Sequence, residues 1–131
     1  MPITDDRLRQ TFSEGGAQEI YQEVKASGDF LGFSRQYAFS QDYRVARSAL
    51  WGLTKASNEE LKQLQVILNE VIDQAMQTDN SSVRRLSLNI VERLEMNKED
   101  LLKRTLEAME IDYYKPAVKC VRNRILNGKL K

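Results

Sequence analysis

Lys115, Lys119 and Arg122 stand four and three residues apart, the spacing that puts three cations on one stripe of a helix. Arg124, Lys129 and Lys131 follow, and no Asp or Glu occurs from Tyr113 onward. Cations so arranged can hold phosphate or an acidic partner. The same residues also suit a solvated last turn, because positive charge near a helix C-terminus opposes the macrodipole. Aromatic side chains form the second set with chemistry to offer. Phe30, Phe33, Tyr37, Phe39 and Tyr43 crowd one short segment. They can pack as an N-terminal cap, or they can line a pocket or a peptide-anchoring surface. Tyr113 and Tyr114 make a second aromatic edge.

Other chemistries lack their residues. The chain has no histidine, so the commonest general base and metal ligand is missing. Cys120 is the only cysteine and reads as a small core residue, although Lys119 and Arg122 beside it would favour a thiolate. A lone cysteine closes no intrachain disulfide and makes no zinc site. Gly15-Gly16 and Gly28/Gly32 follow no strand and read as turn glycines, not phosphate loops. The carboxylates form no recognisable pair. The expectation is a non-catalytic protein without cofactor or metal.

Residues 1–12 carry Asp5, Asp6, Arg7 and Arg9 and have no apolar signal region, and no apolar run suffices to span a bilayer. The sequence therefore predicts a cytoplasmic protein with no membrane partner. The 131 residues fit one domain of ordinary globular composition, 41% apolar and 30% charged. Net charge is +1 but is unevenly spread, −3 over residues 1–78 and +4 over residues 79–131.

The elements that must position these side chains are helices. Apolar residues recur at spacings of three and four nearly throughout, with no period-two alternation of useful length. Ser57-Asn58-Glu59-Glu60 spells a capping box. It opens one predicted helix with Leu61, Leu64, Leu68, Val71, Ile72 and Ala75 on a single face. Asp42 precedes Val45, Ala49, Leu50 and Leu53, and Asn80 precedes Val83, Leu86, Ile90, Val91 and Leu94. Asn97 opens a further helix with Leu101, Leu102 and Leu106, and Pro116 and Gly128 bound a last one. Earlier, Thr4 to Phe12 and Ala17 to Ala26 read as helices, and Gly15-Gly16 either breaks the first or marks the start of the second. Gly28-Asp29 reads as a turn before a short helical segment from Phe30 to Phe39. Connections this short make neighbouring helices antiparallel.

The chain also repeats itself. Asp42-Tyr43-Arg44-Val45-Ala46-Arg47-Ser48-Ala49-Leu50 is echoed by Asn80-Ser81-Ser82-Val83-Arg84-Arg85-Leu86-Ser87-Leu88. Each runs polar cap, valine, a basic residue, a small residue four after the valine, then leucine. Pro116-Ala117-Val118-Lys119 is a looser third copy, and Leu8-Arg9 a degenerate first. A valine and a small residue four apart leave a shallow helix face, against which a neighbour can pack closely. One such unit cannot bury its face alone, so units stack.

Asp42, Val45, Ala49 and Leu50, then Val83, Arg84, Ser87 and Leu88, then Pro116, Val118 and Lys119 resemble the HEAT/armadillo family of helical repeats. The resemblance implies an all-α fold, a short right-handed α-α superhelix of stacked antiparallel hairpins with one concave face. It also implies that basic positions such as Arg47, Arg84 and Arg85 tie one repeat to the next. The expected organisation is a single domain, 1–131. Residues 1–41 form an irregular helical cap, 42–78 and 79–111 are repeats, and 112–131 a terminal helix.

The function expected is a protein-interaction module, monomeric or homodimeric. Its anchors would be Trp51, Tyr43, Tyr113 and Tyr114. Trp51 has Asn89 as its counterpart in the second copy, which argues for a partly exposed position. The alternative is nucleic-acid binding through Lys115, Lys119, Arg122 and Arg124. The resembled superfamily includes DNA-repair glycosylases, but their catalytic carboxylate maps onto no residue here.

Overall fold

The computed structural model describes residues 3–95, and these are helical with no strand among them. The chain divides between Val66 and Ile67 into two compact units. The first holds α1 (Asp5–Arg9), α2 (Glu14–Ser27), α3 (Phe30–Phe33), a π-helical turn (Ser34–Ala38), α4 (Tyr43–Thr54) and α5 (Asn58–Leu61). A 3-10 stretch, Lys62–Ile67, ends at the boundary, and the second unit contributes α6 (Leu68–Gln77) and α7 (Ser81–Glu92).

Polar residues start these helices, at Asp42, Ser57 and Asn80 as the sequence predicts, and α2 begins at Glu14, earlier than the predicted Ala17. The side chains of Thr4, Ser13, Asp29, Asp42, Ser57 and Asn80 each accept a backbone N–H of the turn they open. The capping box at Ser57 is complete, with Glu60 accepting the Ser57 N–H at 2.9 Å. Gly15 and Gly16 lie in the first turn of α2, so they mark its start. Gly28 closes α2 with φ at 73°, a left-handed conformation that costs glycine nothing.

In the first unit, α1, α2 and the π turn all pack on α4. Val45, Ala49, Leu50 and Leu53 of α4 are buried with Leu8, Ile20, Val24, Phe30 and Phe33. The approach of α2 to α4 is tight at Gly52, where a Cβ would stand 2.8 Å from Ile20 Cγ2. Tyr21 of α2 donates its hydroxyl to Glu60 at 2.8 Å, which joins α2 to α5. In the second unit, α6 and α7 pack together across a three-residue connection, short enough only for antiparallel neighbours. Val83, Ser87 and Leu88, the counterparts of Val45, Ala49 and Leu50, are all buried. The Ser87 hydroxyl has no hydrogen-bond partner.

The single helix predicted from Ser57 onward is instead broken. Leu61, Leu64 and Ile67 are buried at steps of three, while Val66 is 68% exposed and Leu68 is half-buried. Three residues per turn is the 3-10 period, so tightening the helix keeps those three side chains on one face. A continuous α-helix would have turned Leu68 inward in place of Ile67. Within the aromatic segment, the Ser34 hydroxyl donates to the Phe30 carbonyl at 2.7 Å, a back-bond that loosens the turn where the π geometry begins.

Candidate functional site

Tyr43, Arg47 and Trp51 recur at steps of four along α4, and Lys55, its C-cap, continues the series. At 3.6 residues per turn, such residues share one stripe. Val45, Ala49 and Leu53 hold the opposite side of the helix in the core, which fixes the direction the stripe faces. Tyr43 is 51% exposed, and Arg47, Trp51 and Lys55 are half-buried.

The turn between α1 and α2 lies against this stripe and accounts for the partial burial. Arg47 Nη2 donates to the Thr11 carbonyl at 3.3 Å, and its guanidinium carbon stands 5.7 Å from the centroid of the Phe12 ring. Trp51 Nε1 donates to Glu14 Oε1 at 3.3 Å, and Lys55 donates to the other Glu14 oxygen. Next to Arg47, Ser48 donates to the Leu8 carbonyl at 2.6 Å in a fully buried contact. These bonds hold α1 and the start of α2 along α4. They leave Phe12 74% exposed, its ring open to solvent beside the stripe. A groove of about 420 Å³ runs past it, lined by Arg7, Gln10, Phe12, Ser13, Gly16 and Glu19 among others.

Acids on this face are already partnered. Asp42 accepts from Arg44 Nε at 3.2 Å and from Arg9 Nε at 2.8 Å. The Arg44 hydrogen bond, then that of Arg9, hold its carboxyl far below the usual carboxylate range. Arg9 is raised in turn, chiefly by its hydrogen bond to Asp42, and also pairs with Asp6. Glu14 is lowered, first by its hydrogen bond from Lys55. Arg7 pairs with Glu23. Among the described residues, Arg47 is the basic side chain of α1 and α4 that has no carboxylate beside it. Its Nε is buried without an acceptor.

The structure thus brings Tyr43 and Trp51 onto one stripe, and Arg47 reaches back to the preceding turn. Phe30, Phe33 and Tyr37 of the aromatic segment are buried. Phe33 and Tyr37 line a second groove of about 450 Å³ together with Val24 and Asp29. Tyr113, Tyr114, Lys115, Lys119, Arg122 and Arg124 lie outside the described residues, as do Cys120 and the helices expected from Asn97 and Pro116. The sequence predicts Phe12 at the end of the first helix, whereas α1 stops at Arg9 and Phe12 stands in the turn beyond it. Its neighbours supply no periodicity, and its exposure follows from where Arg47 and Ser48 pin the turn. Among the described residues no His, Cys, Asp and Glu cluster could hold a metal, and no helix is long and apolar enough to cross a membrane.

Residues 4–102 match the HEAT repeat domain family, which is well over half of the chain. The chain belongs to that family. HEAT repeats generally serve as protein-interaction scaffolds, and the family is typically non-catalytic. Its fold is an all-α repeat superhelix, in keeping with the buried valine, small residue and leucine of α4 and α7. No curated protein and no solved structure matches this HEAT repeat chain.

Proposed function

We propose that this HEAT repeat chain is a non-catalytic protein-interaction module that docks a partner segment on the α4 stripe. Tyr43 and Trp51 would be the anchors, and Phe12 extends the surface. The observation that carries this reading is Phe12, 74% exposed beside a half-buried Arg47 whose stripe also carries Tyr43 and Trp51. A large ring left in water against an arginine, with amphipathic aromatics on the same stripe, has the composition from which binding hot spots are built. Trp51 is held by its bond to Glu14, so little side-chain freedom remains to be lost on docking.

A pulldown from native lysate with wild type and Trp51→Ala, each with and without nuclease, tests the reading. The expected result is a protein recovered by wild type in either condition and lost with Trp51→Ala. Truncating a hot-spot tryptophan costs about 2 kcal/mol or more, roughly a thirtyfold loss of affinity. Recovery that disappears on nuclease treatment would replace this reading with nucleic-acid binding. Equal recovery by both variants would remove Trp51 from the docking face.

A further inference from the structure

We infer that the segment docked on the α4 stripe is an acidic peptide with apolar neighbours, one carboxylate pairing with Arg47 while an adjacent apolar side chain lies against Phe12 and Trp51. This rests on the docking reading above and supplies the chemistry of the partner.

The argument begins with an imbalance. Arg7, Arg9, Arg44 and Lys55 each have a carboxylate partner within this chain. Arg47 sits among them with one backbone carbonyl and one aromatic ring, and its Nε is buried with nothing to accept from it. A guanidinium carries five N–H donors in a planar fork. Half-buried and short of acceptors, it forgoes part of its hydration and recovers little. Nε lies too deep to be met from solvent, but a carboxylate arriving from outside would pair with the Nη donors that Thr11 leaves over, through charge-assisted hydrogen bonds.

The surroundings narrow the choice of anion. Glu14 and Asp42 flank the stripe and stay ionised, each engaged by its own cation. One unspent guanidinium on a stripe whose two ends carry carboxylates tolerates a singly charged anion better than a phosphate dianion. The aromatic surface then supplies what charge alone would not. The exposed Phe12 ring stands 5.7 Å from the guanidinium, and the half-buried Trp51 follows Arg47 by one turn on the stripe, so an apolar residue next to the acid has a surface to cover. Attraction at Arg47 would set the register, and burial of Phe12 and Trp51 would set the affinity.

The test uses the whole chain and an immobilised array of short peptides that place Glu beside Phe, Trp or Leu, each next to its Gln isostere. The expected result is at least about tenfold stronger binding of the Glu peptides, a preference that weakens as salt is raised. Arg47→Gln should abolish the preference, and Phe12→Ala should weaken Glu and Gln peptides alike without changing their ratio. Circular dichroism confirms that each variant is folded. Phe12 is so exposed that its removal leaves the core untouched. Equal binding of Glu and Gln peptides, weakened by Trp51→Ala, overturns the inference and leaves the docking reading standing. A Glu preference that survives in Arg47→Gln also overturns it. Binding of neither set to the wild type overturns both.

Discussion

At position 52 the side chain is missing because another occupies its place. Gly52 lies in the interior of α4, where glycine costs about 1 kcal/mol relative to alanine. Ile20 Cγ2 would be 2.8 Å from an added Cβ, and the Ala17 carbonyl 3.6 Å. Ile20 is fully buried, so it has little room to retreat. Overpacking of a dense core typically costs about 1–3 kcal/mol, which exceeds the gain in helix propensity. Gly52→Ala should therefore lower the stability measured by urea denaturation, by about 1 kcal/mol net. Combined with Ile20→Ala, which removes the Cγ2 that would meet the new methyl, it should cost less than the two changes separately, because the residues share one space. An unchanged or raised midpoint for Gly52→Ala would mean that α2 can shift away from α4.

Between elements, the informative contact is Gln63. Its Nε2 donates to the Gly28 carbonyl at 3.0 Å, and its Oε1 accepts from the Phe30 N–H at 3.1 Å. One amide from the 3-10 stretch thereby serves both the end of α2 and the start of α3. Helix termini leave such groups without intrahelical partners, and Asp29 covers only the Gly32 N–H. Gln63→Ala should cost about 1 kcal/mol and hasten hydrogen exchange at Phe30 and Leu31. Exchange at those amides unaltered from wild type would show that water replaces the amide without loss. Gln63→Glu should be intermediate, since a carboxylate keeps the acceptor and loses the donor.

For the whole molecule, the acid limb of stability is set by carboxylates that act as acceptors. Asp42, Glu14 and Glu60 all have folded pKa values below their ordinary ones, Glu60 chiefly through the Ser57 N–H it accepts. A depressed folded pKa means that the unfolded chain takes up protons first as pH falls. The stabilisation is complete above the unfolded values near 4, declines below them, and is gone once the folded values are passed. The urea midpoint should therefore fall steadily from about pH 5 to pH 2, and less steeply in Asp42→Asn. No histidine is present to titrate, so the midpoint should stay nearly flat from about pH 5.5 to 7.5. A steep change in that neutral window would point to a group outside the ones described.

Much of this architecture was legible in the sequence because it is local. Caps at Asp42, Ser57 and Asn80 are read from a side chain and the turn beside it, and all three form. Burial at Val45, Ala49, Leu50, Val83, Ser87 and Leu88 follows from spacing, and all six are buried. The 3-10 stretch was not legible, because Leu61, Leu64, Ile67 and Leu68 satisfy an α and a 3-10 face equally well until the neighbours choose. Nor could spacing show that Gln63 spans to Gly28, or that the turn carrying Phe12 lies along Arg47. Such contacts join residues more than thirty positions apart.

Gly52 also bears on how the repeats are told apart. Its counterpart in the second copy is Ile90, which is fully buried. The two copies agree at valine, small residue and leucine, yet isoleucine set in α4 at that place would collide with Ile20. The helices share a signature but are not interchangeable parts. A shuffled chain with the α7 sequence in the α4 position could not seat against α2, so the order of the repeats is written in a place where they disagree.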